Sequence, residues 1–170
     1  MKYKFHKLHL KSAAIIAGNF HRASYTLQGN GLGGTIKKGI VRVDYLNSTA
    51  TGHSAHFRPQ DVTYNLKVKS PSIPFTDPSF NSDATTLTVN KHDNTIQVIN
   101  NNRGDGTHFS YYNEQMGIFN GEGRAFEMFN TANPLTIELF DSNDDLADNL
   151  DPYYLGLTFI EILDDECDCK

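Results

Sequence analysis

The stretch "NPLTIELFDSNDDLADNLDPYYLGLTFIEIL", Asn133 to Leu163, decides the fold. Its first run, LTIELF, places Leu135, Ile137 and Leu139 at every second position. Strand side chains alternate between faces, so one face of this run is wholly apolar. Its last run, YLGLTFIEIL, repeats the pattern with Leu155, Leu157 and Phe159. β-branched and aromatic residues fill both runs, as a pleated, half-buried surface requires. The residues between them are rich in Asp and Asn, whose side chains bond to nearby backbone and favour turns. Neither run shows the i, i+3, i+4 recurrence of a helix.

The same pattern extends through the rest of the chain. GIVRVDYL puts Val41, Val43 and Tyr45 on the expected buried face, with Ile40, Arg42, Asp44 and Leu46 on the other. VTYNLKVK points Val62, Tyr64, Leu66 and Val68 inward. YKFHKLHL, HRASYTLQ, TLTV, TIQVI and HFSYY are further short strand candidates. NEQMGIFNG and DDLADNL offer one helical turn each. The expected fold is therefore all-β, an antiparallel β-sandwich. Long polar connections over Asn47 to Arg58 and Ser70 to Asp83 favour Greek-key crossings, hence a jelly roll of roughly eight to ten strands. Residues 1–163 read as a single domain, and 164–170 as an acidic tail containing Cys167 and Cys169.

Composition narrows the function classes. The 170 residues are 38% hydrophobic, and no apolar run approaches the ~20 residues of a membrane span. The start, MKYKFHKLHLKSAAII, is basic, but its apolar part is confined to Ala13 to Ala17. It alternates like a strand and reads as mature protein rather than a signal peptide. A net charge of −5 gives no general basic surface for nucleic acid. The charge is uneven. Lys2, Lys4, Lys7, Lys11 and Arg22 crowd one end, whereas Asp141 to Asp151 and the tail DDECDCK are acidic. Cys167 and Cys169 are too close to close an ordinary disulfide, which fits synthesis in a reducing compartment.

The motifs that carry chemistry elsewhere are incomplete here. GNGLGG has dinucleotide-fingerprint spacing at Gly29, Gly31 and Gly34, but a strand pattern follows where the pyrophosphate-binding helix must start. His6 and His9, like His53 and His56, are three apart, which on a strand sends the rings to opposite faces. DSNDDLADNLDP begins like a calcium loop at Asp141, Asn143 and Asp145, but has Leu146 and Pro152 where Gly and Glu belong. Glu138 and Glu161 lie on strands, at a separation that sequence does not give. There is no Gly-x-Ser-x-Gly elbow. No catalytic residue, metal ligand or cofactor is assigned, and the chain is not read as an enzyme.

NNNRGDGTHF contains the adhesion tripeptide Arg103, Gly104 and Asp105. Flanked by TIQVI and THFSYY, it reads as the turn of a hairpin, with Asp105-Gly106 a favoured turn pair. An exposed turn of this kind is a candidate receptor loop.

The last quarter of the chain resembles single jelly-roll capsid proteins, penton-type or minor, of adenovirus-like and polinton-like double-stranded DNA viruses. Their two final strands read L-x-I-x-L-x-D, a loop, then a Y-L-x-L-x-I-like strand. The matching positions are Leu135, Ile137, Leu139 and Asp141, then Tyr154, Leu155, Leu157 and Phe159. The opening FHKLHLKSAAIIAGNFHRASYTLQ is similar in style to their first strands. The resemblance implies a virion structural protein, a vertex or minor capsid subunit partnered by copies of itself and by neighbouring capsid proteins. A receptor- or glycan-binding jelly-roll module is the other expectation, carried by the Arg103-Gly104-Asp105 turn and the Asn- and Asp-rich loops.

Overall fold

The alternating runs become strands. The computed structural model describes residues 2–12, 22–27, 32–48, 64–76, 79–83, 86–90, 94–101, 110–112, 123–140 and 152–163. Among them there are eleven strands and no helix. The strands are β1 (Lys2–Lys11), β2 (Arg22–Tyr25), β3 (Thr35–Ser48), β4 (Tyr64–Lys69), β5 (Ser79–Asp83), β6 (Thr86–Asn90), β7 (Thr95–Asn101), β8 (Ser110–Tyr112), β9 (Arg124–Asn130), β10 (Leu135–Phe140) and β11 (Tyr153–Leu163). The two candidate helical turns, the Asp-rich loop and the tail 164–170 lie outside the described residues.

Two antiparallel sheets form the body. The first has the order β1-β11-β3, with β9 and β8 sharing the far side of the long strand β3. The second has the order β2-β10-β4-β7, and β5 and β6 form a separate two-stranded hairpin. The pairings are nested: β1 with β11, β2 with β10, β3 with β8 and β9, and β4 with β7. From β1 to β4, consecutive strands change sheet each time. The first four strands thus run antiparallel to the last five of the two sheets, outermost with outermost.

The inner faces meet in one core. Leu8, Val41, Val43, Leu155, Leu157 and Phe159 from the first sheet join Leu66, Val68, Ile99, Leu135, Ile137 and Leu139 from the second. The alternating residues read on β10 and β11, and Leu66 and Val68 of those read on β4, are buried, while Val62 and the Tyr64 side chain lie outside what is described. Phe129 and Phe159 stack at 5.3 Å between centroids, with Phe126 edge-on to both. Burying these whole aromatic rings removes a large apolar area from water.

Polar ties fasten strand ends within a sheet and bridge the two sheets. Ser12 Oγ accepts from the Tyr153 amide at 2.9 Å, and the Ser12 amide donates back to the Tyr153 carbonyl at 2.9 Å. On the opposite side Gln97 of β7 bridges the sheets. Its Oε1 accepts from the Val43 amide at 3.3 Å, and its Nε2 donates to the Tyr111 hydroxyl at 2.5 Å. On the second sheet, Arg22 Nε donates to Glu138 Oε1 at 2.6 Å, giving the largely buried Glu138 carboxylate its countercharge.

Two local expectations are corrected. Strands β7 and β8 are not arms of one hairpin: β7 pairs with β4 and β8 with β3, in different sheets. Short alternating runs fit either partner equally well, so sequence proximity favoured the wrong one. The face of β3 also changes along its length. Val41 and Val43 are buried as expected, but beyond them Leu46 is buried and Tyr45 is not. A β-bulge causes this. Val43 pairs with Leu157 and Tyr45 with Gly156, so Asp44 is an extra residue and the alternation flips after it.

Candidate functional site

The bulge builds a distinctive surface among the described residues. Inserting Asp44 turns Tyr45 out of the core and lays its ring over Gly156 on the outer face of the first sheet. Only a residue without a side chain leaves room there, because a Cβ at position 156 overlaps Tyr45 at Cδ1 and Cε1. The bulge residue is itself fastened. Its Oδ1 accepts from Arg42 Nε at 3.0 Å and its Oδ2 from the Thr158 hydroxyl at 2.5 Å. Two partners thus occupy the carboxylate beside the ring.

Tyr45 is the middle of a row. His9 of β1 pairs with Gly156 of β11, Gly156 with Tyr45 of β3, and Tyr45 with Tyr112 of β8. The sheet register therefore places three aromatic rings in line across four strands. The His9 and Tyr45 centroids are 5.9 Å apart with planes 24° from parallel, and those of Tyr45 and Tyr112 are 6.2 Å apart. His9 Nδ1 and the Tyr45 hydroxyl are hydrogen-bonded at 2.8 Å, and Asn47 Nδ2 donates to the Tyr112 hydroxyl at 2.7 Å. Burial pushes the Tyr45 hydroxyl pKa above its ordinary 10.0, with Asp44 and Tyr112 adding to the shift. The hydroxyl therefore keeps its proton to higher pH than a free tyrosine does.

The neighbouring row extends the surface. Tyr154 lies beside Lys11, whose Nζ is 6.0 Å from the ring centroid. Tyr112 is 59% exposed and Tyr154 42% exposed, so both present aromatic surface outward. Lys7, His9 and Lys11 are all exposed positions of β1. The patch thus combines flat rings, pre-positioned hydroxyls and cations.

Of the residues singled out in the sequence, several lie outside the described residues and others are held apart by the fold. Arg103, Gly104 and Asp105 lie outside the described residues, as do His53, His56, Asp141 to Asp151, Cys167 and Cys169. His6 and His9 fall on opposite faces, as their spacing requires. His6 Nε2 is 2.9 Å from Glu161 Oε2, whereas His9 joins the outer row. Glu138 and Glu161 belong to different sheets and have separate partners, Arg22 and His6. Gly34 has φ +92, accepts hydrogen bonds from the Thr131 amide and hydroxyl, and leads directly into strand β3. Among the described residues no group of three or more His, Cys, Asp or Glu is placed to hold a metal ion. Sequence alone does not reveal the aromatic row, because its members are distant in the chain and strict alternation places Tyr45 in the core. The available signal was the Tyr45-Leu46 pair, two apolar residues in succession that leave the inward position open.

The chain matches no protein-family model, no curated protein and no solved structure.

Proposed function

We propose that this protein is a virion structural protein, a penton-type vertex or minor capsid subunit built on a jelly roll. The observation that carries the reading is the nested strand pairing. Counting β8 and β9 as one interrupted strand and setting aside the β5–β6 hairpin, two four-stranded sheets arise from one rolled ribbon. This supports reading the sandwich as a jelly roll, a fold that recurs in viral capsid proteins and lectins. The strands that resemble capsid-protein ends, β10 and β11, are central in their sheets. The ten-residue β1 ends the first sheet's order and carries Lys2, Lys4, Lys7 and Lys11. Lysines on a terminal strand oppose indiscriminate pairing, while the acidic stretches of a neighbouring copy or another capsid protein complement them.

In this reading the sandwich is the wall, and its edges and chain ends reach neighbours. Mass photometry of the isolated protein is expected to show pentamers or larger assemblies, and cryo-EM of purified particles to place it at five-fold positions. A protein that stays monomeric at high concentration and is absent from particles overturns the proposal. Host attachment through Arg103, Gly104 and Asp105 belongs to the same reading. Asp105→Glu is expected to abolish cell attachment, and unchanged attachment removes the tripeptide from it.

A further inference from the structure

We infer that the His9–Tyr45–Tyr112 row is a binding site for an acidic saccharide, a sugar bearing a carboxylate or a sulfate. The inference does not depend on the virion reading. A sugar ring has an apolar C–H face and a polar rim, and both find their complement here. The ring faces of Tyr45 and Tyr112 supply the apolar platform, at a centroid spacing of 6.2 Å. The Tyr45 and Tyr112 hydroxyls and the Asn47 amide stand at its margin. These groups are already held, Tyr45 by His9 and Tyr112 by Asn47, so binding orders little that is not ordered beforehand.

Charge selects the acidic member of the class. The chain carries a net charge of −5, yet β1 presents Lys7 and Lys11 on either side of His9 at the end of this row. The carboxylate beside the rings, Asp44, already accepts from Arg42 and Thr158. An anion therefore meets cations rather than an uncompensated carboxylate. A purely apolar protein partner fits less well, since covering the patch desolvates the lysines and hydroxyls without pairing them. The second sheet offers no equivalent: its one large exposed hydrophobic residue among those described is Val98.

The test uses the full chain on a panel of immobilised glycans with neutral, carboxylated and sulfated members matched in backbone. Acidic members are expected to be retained and their neutral counterparts released. Tyr112→Ala is expected to weaken retention roughly fivefold or more, the loss of one good stacking contact. Lys11→Glu is expected to erase the preference for acidic over neutral members. Val98→Ser, on the opposite sheet, leaves binding unchanged. Tyr112 is 59% exposed, so its removal spares the core, and an unaltered thermal melt verifies this. Retention of carboxylated or of sulfated members identifies the anion, and either supports the site. Failure to retain any acidic glycan, or retention indifferent to both Tyr112→Ala and Lys11→Glu, overturns it. Oligomer formation is not read in this experiment, so its outcome and that of the particle experiment are separate.

Discussion

Tyr45 lies across Gly156, its ring occupying the space where any other residue would carry a side chain. Gly156→Ala therefore forces the ring off the sheet and strains the pairing of β3 with β11. The expected cost is about 1–3 kcal/mol, the range for overpacking a filled site. Because the obstacle is one ring, Gly156→Ala combined with Tyr45→Ala should recover much of that loss. A double-mutant cycle by equilibrium urea unfolding measures this, with an expected coupling of about 0.5–3 kcal/mol. Strict additivity of the two single changes would exclude the steric account.

Gly39 is a harsher case. A Cβ there stands 2.7 Å from the Ile160 carbonyl oxygen and 2.7 Å from Phe126 Cζ. One obstacle is backbone, and the other is a ring packed edge-on against Phe129 and Phe159. Neither yields easily, so Gly39→Ala should destabilise more than Gly156→Ala, at or above the top of the same range of about 1–3 kcal/mol. Gly33 has nothing within 4 Å of the added carbon and serves as the control, with an expected change within about 0.5 kcal/mol. Chemical denaturation of the three variants ranks them.

The difference between what the sequence predicts and what the structure contains follows from which forces leave a local trace. Burial against a core leaves one. Leu135, Ile137, Leu139, Leu155, Leu157 and Phe159 alternate because one face of each strand excludes water, and all six are buried. The all-β class follows from such runs. Strand partners do not follow, since β8 has the same alternation whether it pairs with β3 or β7. The bulge leaves almost nothing. Asp44 looks like any outward polar residue until its neighbours show that one residue too many opposes Leu157 and Gly156. The aromatic site depended on that bulge, and on register joining residues from β1, β3, β8 and β11. Met128, at φ 55 and 65% exposed, is a further irregularity within a strand that alternation does not reveal.

Gln97 is the bridge to test for closure of the sandwich between β7 and β3. It takes a hydrogen bond from the Val43 amide, next to the bulge, and gives one to the Tyr111 hydroxyl. Gln97→Ala removes both and leaves that amide without its side-chain acceptor, for an expected loss of about 1–3 kcal/mol. A local readout is sharper than the global one. Hydrogen exchange at the Val43 amide should accelerate by more than at Val41, which lies on the same strand and face. Equal change at both positions would mean that the variant merely lowers overall stability.

Tyr25 and Tyr153 bring two hydroxyls together inside the sandwich without reaching hydrogen-bond geometry, and each is buried without another partner. Burial is the main cause that raises the Tyr25 pKa to about 12 and the Tyr153 pKa further still. In the unfolded chain both titrate near 10.0. The folded state thus holds these protons more tightly than the unfolded state. Their contribution is fully present below pH 10, and it is lost as the pH rises through about 12, because unfolding releases tyrosines that ionise. Phenylalanine at both positions removes this dependence together with two unpartnered polar groups. At pH 7 the double variant Tyr25→Phe/Tyr153→Phe should be as stable as the parent or gain up to about 1 kcal/mol. Between pH 9 and pH 11 it should lose less stability than the parent. Urea unfolding at pH 7, 9 and 11 measures both, and an equal alkaline loss in the two proteins would place the sensitivity in other groups.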